Sequence, residues 1–307
     1  MDFLWPIKWV VEALLVGFHT VWSFLGFKVD DGLTWVLSII GLVLVIRAAL
    51  IPLFVKQIKA QRNMVLAQPE LTALQKKYKG KTDQESRQRM ATEQMEIYKR
   101  TGSNPLSSCL PLLIQMPIFS SLFFVLSDAN SLKSIEGGFF TTALMTSFKN
   151  AEFFGAPLHE TFLSATATLE VKIMAAVMIV IMTATQFITQ RQIIAKNQNP
   201  ANVQNTQYMQ TQKIMLWLFP IIFAISGVSF PLGVMWYWLA SNFWTMGQQF
   251  VVIRSMPTEG SKAWHDRQAR LEKRGKLTKS TPEAIEEAEA TSRQRVQPVG
   301  KRGKKRK

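Results

Sequence analysis

Hydrophobic positions along the chain fall in long runs, with the polar positions gathered between them, unlike the short alternations of a soluble domain. The runs 105–127 and 214–253 carry no charge, and they approach or exceed the roughly 20 residues that cross a bilayer core. The pattern predicts an all-α integral membrane protein with five transmembrane helices. They lie at about 33–54 (within a unit 31–55), 105–127, 171–190, 214–229 and 232–253, and Phe230 and Pro231 make a tight turn between the last two.

The segment 56–104 is hydrophilic but patterned, and it predicts a helical hairpin. Pro69 ends the extension of the first span, and Leu71, Leu74 and Tyr78 mark one helical face before Gly80 breaks it. Thr82 to Glu85 reads as a capping box that opens a second helix through Met90, Ile97 and Tyr98 to Thr101 and Gly102. The segments 128–170 and 191–213 read as loops on opposite faces. Residues 254–307 read as a basic tail with some helix around 262–274.

Leu4 to Phe27 is long enough to span, yet Lys8, Glu12, His19 and Ser23 form one narrow polar stripe on it. With Trp5, Trp9 and Trp22 alongside, residues 1–30 read as an amphipathic helix lying in the outer headgroup layer; a sixth span is the alternative. A cleaved secretory signal fits less well, because Asp2 stands where a basic leader is expected.

Charge then fixes the orientation. Thirty-six Lys and Arg face 21 Asp and Glu, with 11 of the basic residues between Lys56 and Arg100 and 16 from Arg254 onward. The positive-inside bias puts the hairpin and carboxyl terminus in the cytoplasm and the amino terminus outside. Cysteine chemistry is excluded because Cys109 stands alone. His19, His159 and His265 are scattered, so no metal site or cofactor is expected.

Arg47 is the sharpest chemical signal, a charge deep inside the first span. It lies about 13 Å along the helix from Lys56, near the middle of a core roughly 30 Å thick. An Arg there costs about 2.5–3.5 kcal/mol on insertion scales, and no carboxylate lies well inside any span to pair with it. It therefore reads as lining a wet cavity. Gln115 on the second span, Thr183, Gln186 and Gln190 on the third, and Trp238, Ser241 or Asn242, Thr245 and Gln249 on the fifth supply further polar lining. Taken singly, these side chains also suit helix–helix hydrogen bonding. Pro111, Pro117 and Pro220 are expected to loosen their helices, and Met174, Met178 and Met182 to offer adaptable apolar contact.

Four stretches recur in a telling order. They are Ile46 Arg47 to Ile51 Pro52 Leu53, Met64 to Gln68 Pro69 Glu70, and Asn104 Pro105 Leu106 with Cys109 to Phe119; the last runs from Phe230 Pro231 Leu232 Gly233 through Trp236 Tyr237 Trp238 and Ser241 Asn242 to Gln248 Gln249. Together they resemble the YidC/Oxa/Alb family of membrane-protein insertases, although Leu232 stands where a small residue is usual. The absence of a large extracytoplasmic domain is similar to Gram-positive or actinobacterial members.

The resemblance implies a non-enzymatic insertase and chaperone in a bacterial plasma membrane. A groove open to the cytoplasm receives a nascent membrane protein at Arg47, with Gln190 (or Gln186), Tyr237 and Trp238 among the groove positions, and releases it sideways into lipid. Membrane lipids, the Sec translocon and the ribosome are the implied partners. Lys301, Arg302, Lys304, Lys305, Arg306 and Lys307 would contact ribosomal RNA or anionic lipid, and the resemblance leans toward the ribosome. A polytopic channel or transporter is the alternative reading, but such a protein needs acidic or broken-helix sites near the midplane.

Overall fold

The computed structural model describes residues 3–103, 110–133, 137–197, 207–258 and 260–275. Cys109 and the basic residues 301–307 lie outside them. The chain is an all-α membrane protein. Its helices are α1 (Trp5–Phe24), α2 (Gly32–Ala49), α3 (Ile51–Tyr78), α4 (Gln84–Thr101), α5 (Leu110–Asn130), α6 (Thr142–Asn150), α7 (Leu169–Asn197), α8 (Gln207–Gly227), α9 (Leu232–Ser255) and α10 (Lys262–Lys273). Two-residue strands β1 (Glu152–Phe153) and β2 (Ala156–Pro157) pair antiparallel.

Among the described residues, α1, α2, the Leu113–Asn130 part of α5 and the Leu169–Lys196 part of α7 are long and apolar enough to cross a bilayer. In α8 the apolar stretch is shorter, Leu216–Gly227. The 24-residue α9 is long enough, but Ser241, Asn242, Thr245, Gln248 and Gln249 dilute its hydropathy. It is nevertheless the hub of the bundle, packed against α7, α2 and α5. The apolar side chains Trp217, Ile221, Ile222 and Ile225 of α8 are exposed, as befits a surface facing lipid.

The first span is shorter than its hydrophobic run. The helix pauses at Leu50, and α3 starts afresh with Pro52 in its first turn, where a missing N–H costs no hydrogen bond. Pro69 does not end α3, which continues to Tyr78. Met64, Ala67 and Leu71 straddle the proline and pack on Ile97 and Tyr98 of α4, a burial that outweighs the lost bond. The cap of α4 is Asp83 rather than Thr82: its carboxylate accepts from Ser86 N at 2.8 Å, and Gly102 closes the helix in the left-handed region at φ 59°. Between the hairpin's arms, Lys77 and Tyr78 both donate to Glu93, which holds that carboxylate below its ordinary pKa.

The described residues of the segment 128–170 form a packed cap. Trp35 of α2 sits between the rings of Phe140, Phe148 and His19, and its Nε1 donates to Ser147 Oγ at 3.1 Å. The first turn of α9 needs acceptors for its free N–H groups, and the cap provides them: Leu232 N donates to Glu160 O and Gly233 N to Leu158 O.

The polar stripe of α1 faces the protein, not the headgroup layer. Glu12 and His19 are buried; Glu12 accepts from Phe139 N at 2.8 Å, and His19 Nε2 donates to Val29 O at 2.9 Å. The stripe thus satisfies loop backbone, while Trp5, Val10, Val21 and Phe24 are left exposed.

Candidate functional site

Two halves of the bundle differ in how they pack. In the half next to the cap, Trp35, Ile39, Leu42 and Val43 of α2 join Leu122, Val125 and Leu126 of α5 in a buried apolar core. Val171, Ala175, Met178 and Met182 of α7 and Leu232, Val234, Met235 and Leu239 of α9 complete it. In the inner half, toward the α3–α4 hairpin, that core stops. Among the described residues between these levels and Val252, the buried side chains on α2, α5, α7 and α9 are Ser121, Thr185, Thr189, Ser241 and Asn242.

Arg47 stands just past the point where the core ends. It continues the inward face of α2 marked by Val36 and Val43, at i, i+7 and i+11, and is half-buried. Because α3 follows almost without a break, Phe54 returns beneath it, and the guanidinium lies 5.7 Å from that ring. No carboxylate of a described residue lies within ion-pair distance of Arg47.

Across from it, Tyr237 of α9 is buried and near enough to Arg47 to feel its charge. The Tyr237 hydroxyl accepts from Gln115 Nε2 at 2.6 Å. The structure therefore joins residues of α2, α5 and α9 in one polar cluster: Arg47, Gln115 and Tyr237. Among the described residues this sets a positive charge, with no carboxylate in ion-pair reach, beside neutral hydrogen-bonding groups, an arrangement that attracts carboxylates and polar peptide.

The other sequence-derived positions divide. Thr183, Gln186 and Gln190 are half-buried in the inner half of α7, one step round the helix from its packed stripe. Asn242 is buried and donates to Met182 O at 3.4 Å, tying α9 to α7, whereas half-buried Thr245 bonds back to its own helix at Ser241 O, 2.8 Å away. Trp238 packs its ring against Phe119 and Phe230, 5.2 and 5.9 Å away, on the outer side of the cluster. Sequence reasoning missed Phe54, although it lies two turns from Arg47. It also missed Thr185 and Thr189, whose hydroxyls bond back to their own helix and hide their polarity inside the α7 interface. Among the described residues no group of three His, Cys, Asp or Glu is placed to hold a metal ion.

The family model described as 60Kd inner membrane protein matches residues 27–259. The chain belongs to that family. The resemblance to YidC/Oxa/Alb insertases read from its motifs is borne out by its relatives. A protein of Streptomyces avermitilis named membrane protein insertase YidC is 46% identical over 266 residues, covering 84% of this chain and 59% of the relative. One of Tropheryma whipplei with the same name is 45% identical over 313 residues, 99% of this chain and 96% of its own. A Bifidobacterium longum relative, again so named, is 36% identical over 321 residues, 98% and 94% of the two chains. The matched segment of this family member holds the whole Arg47 cluster and stops short of α10.

Proposed function

We propose that this multi-pass bacterial membrane protein is an insertase. It takes hydrophobic segments of nascent membrane proteins and passes them into the lipid bilayer. The observation that carries this reading is Arg47, with no carboxylate of a described residue in ion-pair reach, at the level where the apolar core gives way to half-buried polar side chains. A translocating tail must bring charges and unsatisfied backbone groups into the membrane, each costing several kcal/mol in hydrocarbon. A hydrated groove reaching half-way from the hairpin side shortens the dry path, and Arg47 attracts acidic residues of the tail. The client's apolar segment then leaves for lipid, gaining roughly 25 cal/mol per Å² removed from water.

No bond is made or broken, so the protein works as a chaperone rather than an enzyme. The names of the relatives favour insertion over a channel or transporter. The distribution of Lys and Arg supports a cytoplasmic carboxyl terminus and hairpin, with the amino terminus outside. The Sec translocon and the ribosome complete the proposed partners, the ribosome through Lys301 to Lys307.

Photocrosslinking tests the reading. With a photoreactive residue at Thr183 or Gln186, the hydrophilic tail of a stalled client is expected to be captured. At exposed Ile222 or Ile225 of α8, capture is expected to be of lipid or of the client's apolar segment. Tail capture at α8 and none at α7 would contradict the groove.

A further inference from the structure

Beyond Arg254, the one charged residue of α9 and part of its last turn, the chain turns back and α10 packs against α7 and α9. Ser261 caps it, accepting from Trp264 N at 3.2 Å. Between α10 and the last turn of α9 lies a cleft of about 280 Å³, lined by Arg254, Arg267, Arg270 and Arg274 together with Phe250 and Val251. Four guanidinium groups share it, and no carboxylate lines it. Asp266 lines an adjoining cleft of about 450 Å³ together with Lys196, Lys273 and the shared Arg254 and Arg270. Arg270 is fixed in place by donating to Asp266 O and Arg254 O, each at 3.2 Å.

The apolar wall distinguishes the ligands that fit. Phe250 and Val251 are 56% and 61% exposed, in the helix turn just before the arginines. A free phosphate or an RNA backbone would satisfy the guanidinium groups but leave these side chains in water. A lipid covers both: its phosphate meets the arginines at the headgroup level, and its acyl chains run down Phe250 and Val251. Trp264 in the first turn of α10 is of the type that settles at a membrane interface.

We propose that this cleft is a binding site for the headgroup of an anionic phospholipid. It fixes α10 to the membrane at the root of the basic tail. The site stands apart from the Arg47 cluster, and α10 lies outside the segment matched by the family model.

The test uses the full chain equilibrated in vesicles of equal phosphatidylglycerol and phosphatidylcholine, extracted, and weighed with its retained lipids by native mass spectrometry. Phosphatidylglycerol is expected to be retained over phosphatidylcholine by about tenfold or more, a factor within reach of three or four cations near a membrane surface. R254Q/R267Q/R274Q is expected to bring the ratio close to one, whereas R254K/R267K/R274K keeps most of it. In the unaltered chain, salt at about 0.5 M is expected to reduce the ratio, which needs no variant to fold. Equal retention of both lipids, or an undiminished ratio in the glutamine variant, would overturn the proposal. Displacement of the lipid by millimolar inorganic phosphate would reassign the cleft to free anions. Loss of ribosomal RNA binding in the glutamine variant with lipid retention intact would reassign it to RNA.

Discussion

Arg47→Ala is expected to lower insertion of clients with acidic translocated tails by about tenfold to thirtyfold, while clients with neutral tails insert nearly as before. Two unit charges about 8 Å apart at an effective dielectric constant near 20 interact by roughly 2 kcal/mol, which sets that range. Arg47→Lys keeps the charge and is expected to retain most of the activity, losing only what the planar guanidinium gains over Phe54. Stability is expected to change little, because no described carboxylate is orphaned when the guanidinium goes. The checks are insertion of paired clients differing only in tail charge, and thermal unfolding in detergent. Equal loss for acidic and neutral tails would assign Arg47 a packing role.

Gly32→Ala is expected to have the largest effect on the fold. Gly32 opens α2 directly against the backbone of β1, and a Cβ there would overlap the carbonyl group of Glu152 and press on Phe153 N. The obstacle is backbone, held by the β1–β2 pair and the bridge from Asp31 to Glu152, so it cannot swing aside as a side chain would. A cost of about 1–3 kcal/mol is expected, and limited proteolysis is expected to cut the 128–170 cap sooner. Gly247→Ala is the control, since nothing lies within 4 Å of a Cβ there. It is expected to be neutral or slightly stabilising by up to about 1 kcal/mol.

What the sequence made legible is what depends on local pattern and on inventory. Arg47 could be singled out because every ionisable residue in the spans can be counted, and α10 was within reach because its apolar and charged positions repeat at helical spacing. The readings that needed correction depended on distant partners. Pro69 reads as a terminator until Ile97 and Tyr98 are seen to pack across it. Glu12 and His19 read as facing water until the backbone of Phe139 and Val29 is seen to meet them. The 128–170 segment carries weak local signals, and its order comes from Trp35 and the first turn of α9, far away in the chain. Within the polar cluster, residue type alone could not tell Gln115, which bonds Tyr237, from Asn242, which ties α9 to α7.

The central claim is that water enters the bundle from the hairpin side and stops where the apolar core begins. Single cysteines in a background lacking Cys109, probed with a membrane-impermeant thiol reagent from each side, measure this directly. Labelling is expected from the hairpin side at Ala48, Thr183, Gln186 and Thr245, and from neither side at Ile39, Met178 and Leu239. Protection of the first four positions, or labelling of the last three from the side of the cap, would contradict the account.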